Sequence, residues 1–279
     1  MARPRPLLPN PALRLDTSDT APWRNLPVVT IAVIVLCVGL WLAQVTHGVP
    51  VMDGRAFGVI DWGGCLPLYV LTGESWRLVT AMFVHIDITH LGLNMLIFGI
   101  TAPQVERALG PLRTLAIFLV GGILANAGYT WWAELQSTPE HFGRLLSVLA
   151  GASGGLMAMF GALLVPSLLG VLGQQPWADL YQRRIDRRLL GTIAINIGIC
   201  FVIPHWDPTI NITGALAGMV VGAILLVAPQ RAGSSAALLR FVVIGLLLAA
   251  CVSNLGHSGD REFLAKLRTA YDAWRAAQV

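Results

Sequence analysis

Charge is scarce in this chain of 279 residues: Asp, Glu, Lys and Arg together make up 12% of it, against roughly a quarter in an ordinary soluble domain. Lysine is nearly absent, Lys266 being the only one. So little charge excludes a water-soluble domain. Cysteine is scarce too: Cys37, Cys200 and Cys251 fall inside apolar runs and Cys65 stands alone outside them, which leaves no disulfide framework and no metal cluster to expect. No metal-ligand spacing and no glycine loop ahead of a basic residue is present, so neither a metal nor another cofactor is expected.

What the chain has is hydrocarbon, with 55% of its residues hydrophobic. A bilayer core of about 30 Å takes around 20 apolar residues per helix. Seven apolar runs lie near residues 26–46, 87–104, 112–133, 145–171, 189–204, 209–229 and 236–254. They predict an all-α, polytopic membrane helical bundle. The first run follows a proline-rich segment and has no small-residue cleavage site after it, as expected of a retained anchor.

Three parts follow from this reading. Residues 1–25 are expected to be a flexible cytoplasmic tail, 26–254 the membrane domain, and 255–279 an amphipathic tail. Within the membrane domain, residues 47–86 form a long loop in the outer interface, with Trp62, Tyr69 and Trp76 at headgroup depth. The C-terminal tail sets Phe263, Leu267, Tyr271 and Trp274 at helical spacing, so one face is apolar and lies on the membrane or packs against the outer loop.

Arginine orients the bundle, because cytoplasmic loops carry the excess of positive charge. With the N-terminus inside, 12 of the 19 basic residues are cytoplasmic, among them Arg107, Arg113, Arg183, Arg184, Arg187 and Arg188. Seven spans with the N-terminus cytoplasmic and the C-terminus outside fit best. The net charge of +4 is then explained by topology, and no nucleic-acid partner is required. The basic loop "GQQPWADLYQRRIDRRLL" is of the kind that meets anionic lipid headgroups. The preference for arginine and the lack of eukaryotic targeting signals point to a bacterial inner membrane.

Polar groups inside a membrane mark function or a bond between helices. Three clusters qualify. "HIDITHLGLNML" holds His85, His90 and Asn94, the last two four apart and on one helix face. "GASGG" sets Ser153 among Gly151, Gly154 and Gly155. "PTINITGALAGMVVG" sets Asn211 ahead of Gly214, Gly218 and Gly222. Each has a plain packing interpretation, since small residues four apart let helices approach.

Together and in this order they resemble the rhomboid family of intramembrane serine proteases. The resemblance rests on "WR" at Trp76 and Arg77, "HIDITHLGLN" from His85 to Asn94, "VERALG" from Val105 to Gly110, "GASGG" from Gly151 to Gly155 and "GALAG" from Gly214 to Gly218. It implies a rhomboid-like bundle of six core spans plus one C-terminal span. It also implies Ser153 as nucleophile, with His90, Asn94 and the Ser153 backbone N–H as oxyanion donors. Arg77, Glu106, Gly151, Gly154, Gly214 and Gly218 take framework roles. By helical rise, Ser153 is expected about eight residues, roughly 12 Å, into its span.

One position breaks the pattern. In rhomboids the general base is a histidine three residues before a packing glycine of the sixth span, and here that position holds Asn211; registers led by Gly218 or Gly222 give Ala215 or Met219. An amide has no useful proton affinity near neutral pH. Loss of the base in a serine hydrolase removes acceleration on the order of a millionfold. Met157, four residues after the serine, also stands where many rhomboids carry tyrosine. His205, six residues before Asn211, is the candidate substitute base, since Pro208 allows a loop that folds back. His85 is expected to support the outer loop, and His47, His141 and His257 lie outside the spans.

Two readings therefore stand: a rhomboid-like protein that binds transmembrane segments near the outer leaflet without cutting them, or an active endopeptidase using Ser153 with a relocated base such as His205. A transporter or channel would need titratable groups along a path, and the spans carry almost no acidic residues in their middles.

Overall fold

The computed structural model describes residues 13–15, 26–49, 57–168, 191–202, 207–229, 234–255 and 260–277. In chain order the helices are α1 (Val28–Thr46), three short ones α2 (Phe57–Asp61), α3 (Pro67–Leu71) and α4 (Arg77–Thr80), then α5 (Ile88–Leu109), α6 (Pro111–Leu135) and α7 (Ser153–Leu168). They are followed by α8 (Gly191–Val202), α9 (Thr209–Leu226), α10 (Ser234–Ser253) and α11 (Arg261–Ala276). The fold is all-α. Strands among the described residues amount to an antiparallel pair, β1 (Leu13–Leu15) against β2 (Val227–Pro229).

Apolar helices occupy all seven expected span positions, and α1, α5, α6 and α9 are long and apolar enough to cross a membrane. Their outer faces are hydrocarbon: Ile212, Leu216 and Val220 make an exposed stripe along α9, as do Leu96 and Ile100 on α5. Stripes of this kind belong against lipid. With no hydrophobic drive between helices in lipid, close packing has to hold the bundle. The core is accordingly built from α6, α7 and α9, and its closest seam joins α7 to α9. A Cβ on Gly214 would lie 2.5 Å from the Gly154 carbonyl oxygen, one on Gly218 2.0 Å from that of Ala158, and one on Gly222 2.4 Å from that of Ala162. The glycine ridge is a packing surface with no room for any side chain.

The fourth apolar run departs from expectation. It is not helical from residue 145, because Gly143–Leu146 form a 3-10 turn and α7 begins only at Ser153. Leu149 pairs backbone to backbone with Cys65, and Gly151 has φ of +101°; neither is compatible with a continuing helix. Helical rise from residue 145 therefore does not apply to Ser153, which is reached by a loop.

At one end of the bundle, Glu106 of α5 accepts hydrogen bonds at 2.9 Å from the Val29 and Thr30 amides and from the Thr30 hydroxyl. A carboxylate there satisfies donors that open α1 and interacts favourably with its dipole. At the other end α2, α3 and α4 fold over the bundle. Arg77 fastens them: its Nη1 donates to the carbonyl oxygens of Ile60 (2.5 Å) and Gly64 (2.9 Å), and its Nε to Glu74 (2.7 Å). Of the two places open to the amphipathic tail, α11 takes the second, packing on this segment with Leu264 and Tyr271 buried.

Candidate active site

The site begins with α5. The Asp87 carboxylate caps that helix by accepting from the His90 backbone N–H at 2.7 Å, which seats His90 in the first turn and Asn94 one turn further. The Asn94 amide donates to the His90 carbonyl oxygen at 2.9 Å. Both side chains are buried and aim at the loop ahead of α7: a Cβ on Gly151 would lie 2.8 Å from His90 Nε2 and 3.6 Å from Asn94 Nδ2. The amide of Gly151 donates to the Ala81 carbonyl oxygen at 2.8 Å. Gly151 is thus pinned between α5 and the outer segment, in a backbone region that side chains avoid.

Ser153 follows two residues later, half-buried, as the first residue of α7. Helix starts carry unpaired N–H groups and the positive end of the dipole. The arrangement thus brings a hydroxyl, a helix N-terminus, an imidazole and a carboxamide to one place.

The sixth span meets α7 at the same level. Gly214 presses on the carbonyl of Gly154, and Ile210 Cγ1 would stand 3.6 Å from a Cβ on Gly154. Asn211 lies between these two contacts, in the first turn of α9, and is buried. Its amide is directed at α8, with Nδ2 3.2 Å from the Asn196 carbonyl oxygen and 3.3 Å from Cys200 Sγ. Among the described residues nothing hydrogen-bonds its buried Oδ1. Met157 is fully buried in the core.

His205 and His257 lie outside the described residues, as does the basic loop 173–190. His85 is buried, its ring 5.2 Å from that of His90, and neither ring nitrogen makes a well-formed hydrogen bond. Burial holds its imidazole well below the usual range, and the neighbouring His90 adds to the effect, so it stays neutral. His47, exposed at the end of α1, packs edge-on against Trp62 at 5.4 Å. His141 is exposed in a turn. No group of three or more metal-ligating side chains occurs among the described residues.

Asp207 is the residue the sequence did not single out. Its Oδ1 accepts from the Thr209 amide at 2.8 Å, and its Oδ2 receives Arg144 at 2.9 Å and the Tyr129 hydroxyl at 3.2 Å. It thereby ties the start of α9 to α6 and to the 3-10 turn. Partial burial alone would push the carboxyl up, but the Thr209 and Tyr129 hydrogen bonds and the Arg144 charge outweigh it and hold the group below the usual range. An aspartate just before proline and a helical run is a capping signal.

A family comparison decides what this arrangement belongs to. The Rhomboid domain model matches residues 72–228, more than half of the chain and all of the site. The chain belongs to the rhomboid family. It is 24% identical over 209 residues to "Rhomboid protease AarA" of Providencia stuartii, covering 72% of this chain and 74% of that protein. It is 34% identical over 181 residues to "RHOMBOID-like protein 6, mitochondrial" of Arabidopsis thaliana, covering 62% of this chain and 50% of the relative. With "Rhomboid protease GluP" of Bacillus subtilis it shares 30% over 207 residues, 74% of this chain and 37% of that protein. This rhomboid therefore spans half or less of the length of the last two. It is an integral membrane protein, with seven apolar helices among the described residues.

Proposed function

We propose that this rhomboid binds transmembrane segments near the outer leaflet and is impaired in cutting them. The observation that carries the reading is Asn211. It stands in the first turn of α9, three residues ahead of the glycine that presses on Gly154, where a base acting on Ser153 belongs. In a rhomboid reaction Ser153 Oγ attacks a scissile carbonyl, and a base must take its proton as the bond forms. An amide cannot hold that proton. His90, Asn94 and the α7 N-terminus still offer donors to a developing oxyanion, but without a base the attack remains slow. Binding needs only the apolar helix faces and the loop that presents Ser153, and these are intact. Transmembrane proteins are the proposed clients and lipids the surroundings; no cofactor is required.

The test is cleavage of a tagged single-pass protein in membranes by the natural protein and by Ser153→Ala, alongside pull-down of the same protein. Neither should cut, and both should retain the client. Serine-dependent cleavage would overturn the reading and make His205 the next residue to change. The proposed orientation, from the arginine distribution, is N-terminus cytoplasmic and C-terminus outside, and the proposed location, from the preference for arginine over lysine and the lack of eukaryotic targeting signals, is a bacterial inner membrane.

A further inference from the structure

The C-terminal helix and the loop that carries Ser153 share one apolar core. Leu264 and Tyr271 of α11 are buried in the same cluster as Cys65, Tyr69, Leu145 and Leu149. Polar contacts reinforce it. Arg268 donates to the Thr72 hydroxyl at 2.8 Å and to the Glu74 carboxylate, and its guanidinium lies 4.6 Å from the centre of the Tyr69 ring. The Tyr69 hydroxyl donates to Asp272. Arg275 forks onto Asp61 at 2.9 and 3.0 Å. The other Glu74 oxygen holds Arg77, which in turn fixes the carbonyls of Ile60 and Gly64.

That outer segment is what positions the serine loop. Cys65 and Leu149 exchange backbone hydrogen bonds of 2.9 and 2.7 Å, and the Gly151 amide donates to Ala81 at 2.8 Å. Two residues on, α7 opens at Ser153. The contacts run without a gap from α11 through the outer segment to residues 149–151.

We infer that α11 is a brace for the candidate site, its Arg268 and Arg275 serving as positioning residues that hold the outer segment against the serine loop. Exposed ion pairs are individually weak, so the brace works as a unit with the apolar contacts of Leu264 and Tyr271. It operates whether the site cuts a client or only holds it.

The test uses the full-length protein in lipid nanodiscs. Cys65 is fully buried in the braced segment, so peptide-resolved alkylation reports its opening, and hydrogen exchange follows residues 149–151 and α11. Combining Arg268→Ala with Arg275→Glu should raise Cys65 alkylation and exchange at 149–151 about tenfold, the signature of local opening. Cys37, buried in α1, should be unaffected. Adding Asp61→Arg to Arg275→Glu should restore what Arg275→Glu alone loosens. The inference is overturned when α11 exchanges freely while Cys65 and residues 149–151 stay protected. Should Cys37 also open in the double variant, the same rates are read on the natural protein in rising salt, which screens these pairs. There Cys65 must open together with α11, and a flat Cys65 rate beneath a loosened α11 overturns the brace.

Discussion

Two residues decide most of what this site can do. At Asn211, where the proposed function would need a base, the side chain is an amide whose nitrogen is engaged by Asn196 and Cys200. Asn211→His is expected to create Ser153-dependent cleavage of a single-pass substrate, a gain read by comparison with Asn211→His carrying Ser153→Ala. If Asn211→His with Met157→Tyr stays folded and inert, the sixth span is read in the wrong register. At Gly151 the obstacle is steric and conformational together: φ is +101° and a Cβ would stand 2.7 Å from the His90 ring. Gly151→Ala should cost about 1–3 kcal/mol for the backbone conformation alone, with a lower Tm in detergent and weaker client retention. The sequence reveals the residue types, their order and the asparagine three residues ahead of Gly214, because these are statements about composition and spacing. It does not reveal Asn196 and Cys200 as partners of Asn211, since only packing turns α8 toward α9.

Among the elements, the α7/α9 seam sets stability. Gly218→Leu would drive a side chain into the Ala158 backbone, where a Cβ alone would lie 2.0 Å from a carbonyl oxygen, and backbone cannot yield as a side chain can. Overpacking costs about 1–3 kcal/mol. By contrast Gly39 of α1 has nothing within 4 Å of its Cβ position, and Gly39→Ala should stabilise by about 0.5–1 kcal/mol. Thermal unfolding of the two variants should move in opposite directions. The approach to α9 adds a pH dependence. Asp207 is held below the usual carboxylate range, so its contribution is present above the unfolded carboxyl value of about 4 and disappears as pH falls through the lower folded value. Asp207→Asn should lower Tm at pH 7 and narrow the difference between pH 7 and pH 3.

On the scale of the whole molecule, hydrocarbon faces mark an integral membrane protein, and the proposed orientation rests on the arginine distribution in the sequence. A reporter active only outside the cytoplasm should be active when fused after Val279 and silent when fused ahead of Met1. At the end of the bundle where Glu106 caps α1, β1 also pairs with β2; at the end where Ser153 is found, α11 and the outer segment form a lid-like second core. The tail thus has a structural partner of its own.

The amino-acid sequence alone determines the all-α class, the approximate places of the apolar helices and the glycine seam, and it supplies the asparagine on which the proposed function rests. All are local, since apolar run length, four-residue spacing and side-chain chemistry need no knowledge of neighbours. Tertiary structure decides the rest. That α7 begins at Ser153 follows from the Cys65–Leu149 pairing and from Gly151 caught between His90 and Ala81, contacts between residues that lie far apart in the chain. Asp207 gains its role only when Tyr129 and Arg144 are brought to it. That α11 seats on the outer segment reflects Tyr69 meeting Asp272 across the length of the membrane domain, because an amphipathic face states only that something covers it and the fold supplies what does.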